Sequence, residues 1–214
     1  MKQSPNETMT QSFHRLILVR HGETEGQSSV RYHGRTDVRL SPLGRAQMTR
    51  VRNALRSETF AAVYASTLLR TVEAAGIVGR TAERGAAVTQ VSGFDEIDFG
   101  EWEGLTADEI RARDPDAHAR WLSERAEFHY PRGESTTAFR ARVLQALRET
   151  LHAAPSGDLL LVVHKGVIRS VVTELLAFDD AQRRRLIVDL ASIHVIRSTN
   201  GRWHPEVLDR TDHL

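Results

Sequence analysis

Two short apolar runs decide the fold, and each is followed directly by polar residues that include a histidine. Residues 16–19 read LILV and precede Arg20 and His21, while residues 159–163 read LLLVV and precede His164. Neither run alternates apolar with polar residues, which is typical of strands that are covered on both faces in a parallel sheet. The two runs therefore predict buried strands of such a sheet.

Weaker strand signals and clear helix signals alternate along the rest of the chain. The weaker strand candidates are residues 61–65, 86–91 and 191–196. Helix signals come at Ser41-Pro42, at a possible capping box of Thr106 and Glu109, across residues 136–152, and directly after His164. Alternation of strands and helices implies right-handed crossovers. The predicted fold class is α/β, a three-layer sandwich with a mostly parallel central sheet flanked by helices.

The length of 214 residues suits one domain with a small insertion. Residues 1–12 are polar and are predicted to be a flexible tail, which leaves residues 13–214 as a single domain. Residues 100–133 form a long connection before the next helix. They are the best candidate for a lid or small insertion over the site.

Composition excludes several classes of protein and of site. The chain has no cysteine, so it has neither a disulfide framework nor a cysteine nucleophile, and this suits a reducing cytoplasm. Lys and Arg total 29 against 28 Asp and Glu, which argues against a broad nucleic-acid-binding face. No apolar run approaches the roughly 18 residues of a membrane span, and no convincing metal-ligand spacing is present. We therefore expect no nucleic acid, membrane or metal partner.

Polar residues follow the predicted strands at the point where each strand ends. Arg20 and His21 follow residues 16–19, and His164 follows residues 159–163; Ser66 follows residues 61–65 and opens a helix that carries Arg70. Ligands of open parallel α/β sheets bind beyond the carboxyl ends of the strands. Two histidines and two arginines are therefore predicted to converge, next to the positive end of the helix that follows His164. Such a site suits a phosphate.

The convergence has a mechanistic use in phosphoryl transfer. Arginine forks give bidentate contacts to phosphate, and two such cations disfavour protonation of His21, which leaves it nucleophilic near pH 7. A leaving alkoxide needs a proton from a nearby carboxylic acid. Asp95, Glu96 and Asp98 are the candidates for that acid, on a loop after residues 86–91.

At this point the sequence resembles a known family, the phosphoglycerate mutase-like histidine phosphatase superfamily. The matching segments share the family's order and are residues 18–24 (LVRHGET), 34–37 (GRTD), 40–47 (LSPLGRAQ), 66–71 (STLLRT), 95–104 (DEIDFGEWEG), 133–135 (GES) and 162–169 (VVHKGVIR). The resemblance covers roughly residues 15–200 and favours the phosphatase branch.

The resemblance implies a role for each matched residue. His21 is the nucleophile that becomes phosphohistidine, Arg20 and Arg70 bind the phosphate, and His164 contacts the transferring oxygens. Glu96 protonates the leaving group and then activates the water that cleaves the phosphoenzyme. The family needs neither a metal nor another cofactor for this step.

The sequence departs from the family's pattern at three of the four residues predicted to bind substrate. Gln27 stands where asparagine is common, His33 stands before Gly34 where glutamine or threonine is frequent, and Lys165 replaces a common glycine. The amide of Gln27 is long enough to reach the phosphate. We hypothesise that the ammonium of Lys165 favours substrates that carry a carboxylate or a second phosphate.

Three functions remain open on the sequence. A phosphatase acting on a small phosphorylated metabolite is favoured, because the stretch matching the long basic insertion of the mutases is short here and its arginines are spread along predicted helices. A cofactor-dependent mutase and a noncatalytic phosphoester-binding protein are the alternatives. The predicted assembly is a monomer or a homodimer.

Overall fold

The computed structural model describes residues 13–79, 87–124 and 126–214. The predicted tail, residues 1–12, lies outside the described residues, as does Ala86 at the start of one predicted strand.

A six-stranded sheet forms the centre of the protein. Its strands are β1 (Phe13–Arg20), β2 (Ala62–Ala65), β3 (Val88–Gln90), β4 (Gly157–Val163), β5 (Ile193–Thr199) and β6 (Arg202–Arg210). They lie in the order β3-β2-β4-β1-β5-β6. The pairs β3–β2, β2–β4 and β4–β1 are parallel, whereas β5 runs antiparallel to both of its neighbours. The predicted, mostly parallel sheet is confirmed.

The strand β6 is absent from the sequence prediction, although a signal for it exists. Asn200 and Gly201 join β5 to β6 with positive φ angles of 50° and 75°. An Asn-Gly pair of this kind is a strong signal for a two-residue hairpin. The strand itself carries Pro205 and two exposed charged residues, Arg202 and Glu206, as suits the edge of a sheet, and it lacks the apolar pattern that marks a buried strand.

Seven helices lie in the described part of the chain. They are α1 (Pro42–Ala54), α2 (Leu69–Val78), α3 (Ala107–Arg113), α4 (Pro115–Ser123), α5 (Thr136–Ala153), α6 (Lys165–Leu175) and α7 (Asp180–Arg185). Ser41 caps α1, and Thr106 with Glu109 forms the predicted capping box of α3. None of these helices is both long and apolar enough to cross a membrane.

The helices cover both faces of the sheet. Alternate residues of β1 separate the two sides: Ile17 and Val19 pack with the buried residues of α1 and α2, while Leu16 and Leu18 pack with those of α5 and α6. Because both faces are buried, β1 and β4 read as continuous apolar runs rather than alternating ones. This confirms the three-layer α/β sandwich.

Residues 100–133, predicted to be a lid or small insertion, carry α3, α4 and an aromatic cluster. Trp102 lies at its centre, with ring centroids of Trp121, Phe128 and Tyr130 5.3–5.9 Å away. The indole of Trp121 donates a hydrogen bond to the Tyr130 hydroxyl. Trp102, Phe128 and Tyr130 are buried in the same core as α5 and α6. Their packing holds this segment against the body of the domain.

A buried histidine in β5 makes fold stability sensitive to acid. His194 is fully buried, and burial lowers its pKa from 6.5 to about 4. Its Nδ1 accepts from the backbone N–H of Asp209, and its Nε2 donates to the Ser192 hydroxyl. The neutral ring therefore satisfies both neighbours, whereas a second ring proton would have no acceptor at Nδ1.

We predict that His194 contributes to acid unfolding. The unfolded chain binds a proton there near pH 6.5 and the folded protein only near pH 4, so acidification across this interval favours unfolding by about 3 kcal/mol. Denaturant unfolding of His194→Gln should show a shallower loss of stability than the parent between pH 6.5 and 4. His204→Gln, at an exposed position in β6, is the control and should keep the parental slope. Parallel pH profiles for all three proteins would contradict the assignment.

Candidate active site

Three neighbouring strands bring the predicted site residues together. Arg20 ends β1 and is paired in register with Val163, which ends β4, so the residues that follow these two strands are adjacent. The backbone N–H of His21 donates to the carbonyl of Val163 at 3.1 Å. The rings of His21 and His164 lie 5.3 Å apart, centroid to centroid, in an edge-to-face arrangement. The strand β2, on the other side of β4, ends just before Ser66.

The hydrogen bonding of His21 fixes its tautomer. Its Nδ1 lies 2.8 Å from the carbonyl oxygen of Gly22. A carbonyl oxygen only accepts, so Nδ1 carries the proton and Nε2 of the neutral ring carries the lone pair. That lone pair is the one a nucleophilic imidazole uses.

The surroundings keep this ring neutral. His21 is 4% exposed, and burial lowers its pKa well below 6.5. The charges of Arg70 and then Arg20 lower the pKa further. His164 is fully buried and its pKa is lowered for the same reasons, burial first and Arg70 second. Both imidazoles are thus uncharged at neutral pH.

Arg70 is a fully buried guanidinium held by backbone carbonyls. Its Nη1 donates to Thr36 at 2.9 Å, and its Nη2 donates to His33 and Gly34 at 3.1 and 2.7 Å. Burial lowers its pKa, while Glu96 is the carboxylate that opposes this effect most. A buried cation needs such partners, because burying a charge without them costs about 3–5 kcal/mol of folding free energy. The loop of residues 33–36 therefore determines where this guanidinium points.

His164 has partners at both ring nitrogens. The Nε of Arg70 donates to its Nδ1 at 3.3 Å, so its proton lies on Nε2, which donates to the Ser66 hydroxyl at 2.8 Å. Ser66 in turn donates to Thr71 at 2.7 Å, and Thr71 donates to the carbonyl of Leu68. This chain of donors fixes the ring plane beside His21. A contact of His164 with transferring oxygens stays a prediction.

Arg20 is the second guanidinium of the site. Its Nη1 donates to the carbonyl of Val188 at 2.9 Å, while its Nε is buried and has no hydrogen-bond partner among the residues that the structure describes. Burial lowers its pKa to about 10, which still leaves it charged at neutral pH, and Glu96 is again the strongest opposing carboxylate. A buried N–H without an acceptor is costly. The site thus has an open donor for an anion.

Glu96 lies at the amino end of α6, next to the histidine that precedes the helix. Its Oε2 accepts from the backbone N–H of Gly166 at 3.0 Å, and its Oε1 accepts from its own neighbour Ile97. A Cβ at Gly166 would lie 2.4 Å from Oε1, so glycine is needed for this close approach. Of the candidate acids, Glu96 is the carboxylate with the strongest electrostatic effect on both arginines.

The other two candidate acids have structural partners. Asp95 accepts from the backbone N–H and the hydroxyl of Thr67 ahead of α2, and Asp98 accepts from the N–H of Gly100. Arg142, from α5, donates to the carbonyls of Gly93 and Asp95 and so holds the loop that presents Glu96. Within the described ranges, no three His, Asp or Glu side chains form a group that could hold a metal ion.

Comparison with known proteins identifies the family. The family model described as "Histidine phosphatase superfamily (branch 1)" matches residues 16–211, nearly the whole described chain. This chain belongs to that superfamily.

Relatives and solved structures of the superfamily extend the comparison. An acid phosphatase of Mycobacterium tuberculosis is 32% identical over 203 residues, and phosphoserine phosphatase 1 of Hydrogenobacter thermophilus is 30% identical over 200 residues; each alignment covers 94% of both chains. The structure of YhfR from Bacillus stearothermophilus has a TM-score of 0.81 and 28% identity, covering 93% of this chain and 98% of that one. Three mycobacterial relatives, 35% identical over 184 residues, are longer: this chain spans about half of their length, 49%.

Three residues depart from the superfamily's pattern, and each has different surroundings in the structure. Gln27 is exposed and has a positive φ of 59°, a conformation that asparagine adopts more readily than glutamine. The ring of His33 donates from Nε2 to the carbonyl of Gly26, while its own carbonyl accepts from Arg70. Lys165 is exposed at the first position of α6. Their contacts with substrate stay predictions.

Gly34 supports the site from behind the arginine. Its N–H donates to Glu103 and its carbonyl accepts from Arg70, so both of its backbone groups have protein partners. A Cβ at this position would meet the carbonyl of Ile97 at 1.9 Å. These contacts hold the guanidinium of Arg70 in place. They do not test the predicted contact of Gly34 with substrate.

Sequence reasoning missed Glu103 as a residue that organises the site. Its carboxylate accepts from the backbone N–H groups of Gly34, Arg35, Thr36 and Phe99 at 3.0–3.1 Å, and from the Thr36 hydroxyl. The loop it holds supplies the carbonyls that bind Arg70. Glu103 lies inside the matched segment 95–104, but no pattern in the sequence shows that it accepts hydrogen bonds from a segment nearly 70 positions earlier.

We predict that Glu103→Gln weakens phosphate binding through Arg70. The amide turns an N–H₂ group toward backbone donors, which should lower the free energy of unfolding by about 2 kcal/mol and raise the inhibition constant of inorganic phosphate about tenfold. Competitive inhibition and denaturant unfolding measure the two effects. The control is Glu101→Gln, two residues before Glu103, which removes the ion pair of Glu101 with Arg132. Unchanged phosphate inhibition in a destabilised Glu103→Gln protein would show that Glu103 does not position Arg70.

Proposed function

We propose that this protein is a metal-independent phosphomonoesterase that acts on a small phosphorylated metabolite through a phosphohistidine at His21. The observation that carries the proposal is the hydrogen bond of Nδ1 of the buried His21 to the Gly22 carbonyl, which leaves the lone pair on Nε2, together with the positive charges of Arg70 and Arg20 that act on this ring. Among the superfamily's relatives, one is named an acid phosphatase and another a phosphoserine phosphatase, which favours hydrolysis.

In the first step, Nε2 of His21 attacks the phosphorus atom of the ester. The P–N bond forms as the P–O bond to the leaving alkoxide breaks, and Arg20 and Arg70 stabilise the negative charge of the non-bridging oxygens. The open Nε–H of Arg20 is one donor for them. Glu96, held at the start of α6, gives its proton to the leaving oxygen.

In the second step, water replaces the alcohol. Glu96, now a carboxylate, takes a proton from the water, whose oxygen attacks phosphorus while the P–N bond breaks. Inorganic phosphate leaves and His21 returns to its neutral form. His164 is proposed to contact the transferring oxygens as a hydrogen-bond donor: its Nδ1 takes the proton of a monoanionic phosphate ester, and the Nε–H of Arg70, released from that ring nitrogen, donates to the phosphate.

Several further expectations belong to this proposal. Gln27, His33, Gly34 and Lys165 are proposed as substrate-binding residues, and residues 100–133 as a lid or insertion over the site. The proposed location is the cytoplasm, the proposed assembly a monomer or homodimer, and no cofactor is part of the reaction.

The first prediction concerns the nucleophile. His21→Ala should lower kcat for p-nitrophenyl phosphate by about 10³-fold or more, because the covalent route is lost. The parent should release phosphate in excess chelator and yield an acid-labile, alkali-stable phosphoprotein when quenched during turnover. His152→Ala, at an exposed position near the end of α5, is the control. Retained turnover in His21→Ala would remove the proposal, and activity that needs a bisphosphate primer with little phosphate release would favour the mutase.

The second prediction concerns the acid and base. With p-nitrophenyl phosphate, whose leaving group needs no proton, Glu96→Gln should still release about one equivalent of nitrophenolate in a burst. Steady turnover should then fall by about 10²-fold or more, since no base activates water. Stopped-flow absorbance separates the two phases. Asp98→Asn is the matched control and should behave like the parent. A Glu96→Gln enzyme with unchanged steady-state turnover would assign the acid and base role to another residue.

A further inference from the structure

Lys165 is an unusual cation in this chain. Of the 29 lysine and arginine residues, only Lys2 and Lys165 are lysines, and Lys165 alone lies in the described part. It directly follows His164 and begins α6. Its ammonium forms no hydrogen bond or ion pair with any residue of the described ranges, 13–79, 87–124 and 126–214, and the residue is exposed. This cation, adjacent in sequence to His164, thus has no partner in the described part of the chain.

Two arginines lie near this ammonium and are held by one loop. Arg169, one helical turn after Lys165 and on the same side of α6, donates through Nε and Nη2 to the carbonyl of Leu186. Arg20 donates to the carbonyl of Val188, two residues further on. The loop from 186 to 188 therefore holds the two guanidinium groups on the side of the site where α6 begins.

The charges around Lys165 are unevenly balanced. Partial burial is the main cause that lowers its pKa, and the next causes are the positive charges of Arg169 and Arg20. Asp189 and Glu96 are the carboxylates that oppose the effect, and they oppose it less than the two arginines promote it. Glu96 already accepts backbone N–H groups and serves the proton transfer proposed above. An additional anion is what would relieve the repulsion between these cations.

We infer that Lys165, with Arg169 behind it, forms a second anion subsite beside the transferring phosphate. The inference rests on the proposed phosphatase function and names its substrate class: small phosphate monoesters that carry a second anionic group, a carboxylate or a second phosphate, a few bonds from the ester. Arg20 and Arg70 hold the transferring phosphate at the bottom of the site. The ammonium at the exposed start of α6 binds the other group at the mouth of the site.

A matched pair of substrates tests the subsite by activity. O-phosphoserine and O-phosphoethanolamine differ only by a carboxylate, and fructose 1,6-bisphosphate against fructose 6-phosphate tests a second phosphate. The parent should prefer the doubly anionic member of a pair, and Lys165→Met should lower kcat/KM for that member about tenfold while leaving the other unchanged. Lys165→Arg should restore most of the preference. Arg148→Met, on α5 outside the site, is the control and should keep the parental preference.

Three results of this experiment would overturn the subsite. Equal hydrolysis of both members of each pair by the parent would show that no second anion is recognised. An equal loss by Lys165→Met on both members would place the ammonium on the transferring phosphate instead. An unchanged preference in Lys165→Met would assign recognition to other residues. None of these results touches the role of His21, which is tested separately by p-nitrophenyl phosphate.

A binding measurement gives the same information without turnover. Reductive ¹³C-methylation labels only the α-amino group, Lys2 and Lys165, and Lys165→Arg assigns the third signal. The phosphonate 2-amino-4-phosphonobutanoate should shift the Lys165 methyl resonance, whereas 3-aminopropylphosphonate, which lacks the carboxylate, should leave it nearly unchanged. Equal shifts, or no shift, with the two phosphonates would contradict a carboxylate subsite. This readout holds even if the protein proves not to hydrolyse phosphate esters.

Discussion

The site depends on keeping two guanidinium groups buried beside a neutral imidazole. Arg70 is fully buried, so it needs acceptors, and the carbonyls of His33, Gly34 and Thr36 supply them. Those carbonyls are correctly placed because their own loop donates its N–H groups to Glu103. The carboxylate of Glu103, which is not one of the proposed reacting groups, thus stabilises the loop that holds the guanidinium of Arg70. Burial first, and then this cation, lower the pKa of the nearby imidazoles and keep them neutral.

The sheet supplies the other half of the constraint. Parallel pairing of β1 with β4 sets Arg20 opposite Val163, so the next residue of each strand is a histidine on the same edge. The start of α6 then adds the N–H of Gly166, which holds Glu96, and places Lys165 on the rim. The pairing of β1 with β4 and the start of α6 therefore bring together His21, His164 and the carboxylate of Glu96. The strand pairing and the position of α6 explain why short segments far apart in the sequence form a single site.

Much of this arrangement is predictable from the sequence, because it depends on strong local signals. The unbroken apolar runs before His21 and His164 identify central strands, and polar residues at strand ends identify the ligand-binding edge. Hydrogen bonds between distant loops leave no such pattern, which is why the role of Glu103 and the donor chain from His164 through Ser66 are visible only in three dimensions. The strand β6 was missed for a different reason: its Asn200-Gly201 turn is a clear signal, but an exposed edge strand has no apolar run.

The proposed chemistry depends on the protonation state of His21, which NMR spectroscopy measures directly. Long-range ¹H–¹⁵N correlation spectra of ¹⁵N-histidine-labelled protein, with His21→Gln for assignment, report the tautomer of each ring across a pH titration. We predict that His21 at pH 7 has a protonated Nδ1 and an imine-type Nε2, and that it keeps this form well below pH 6.5. An imidazolium at pH 7, or the opposite tautomer with the proton on Nε2, would contradict the account, because neither has a lone pair at Nε2 to attack phosphorus.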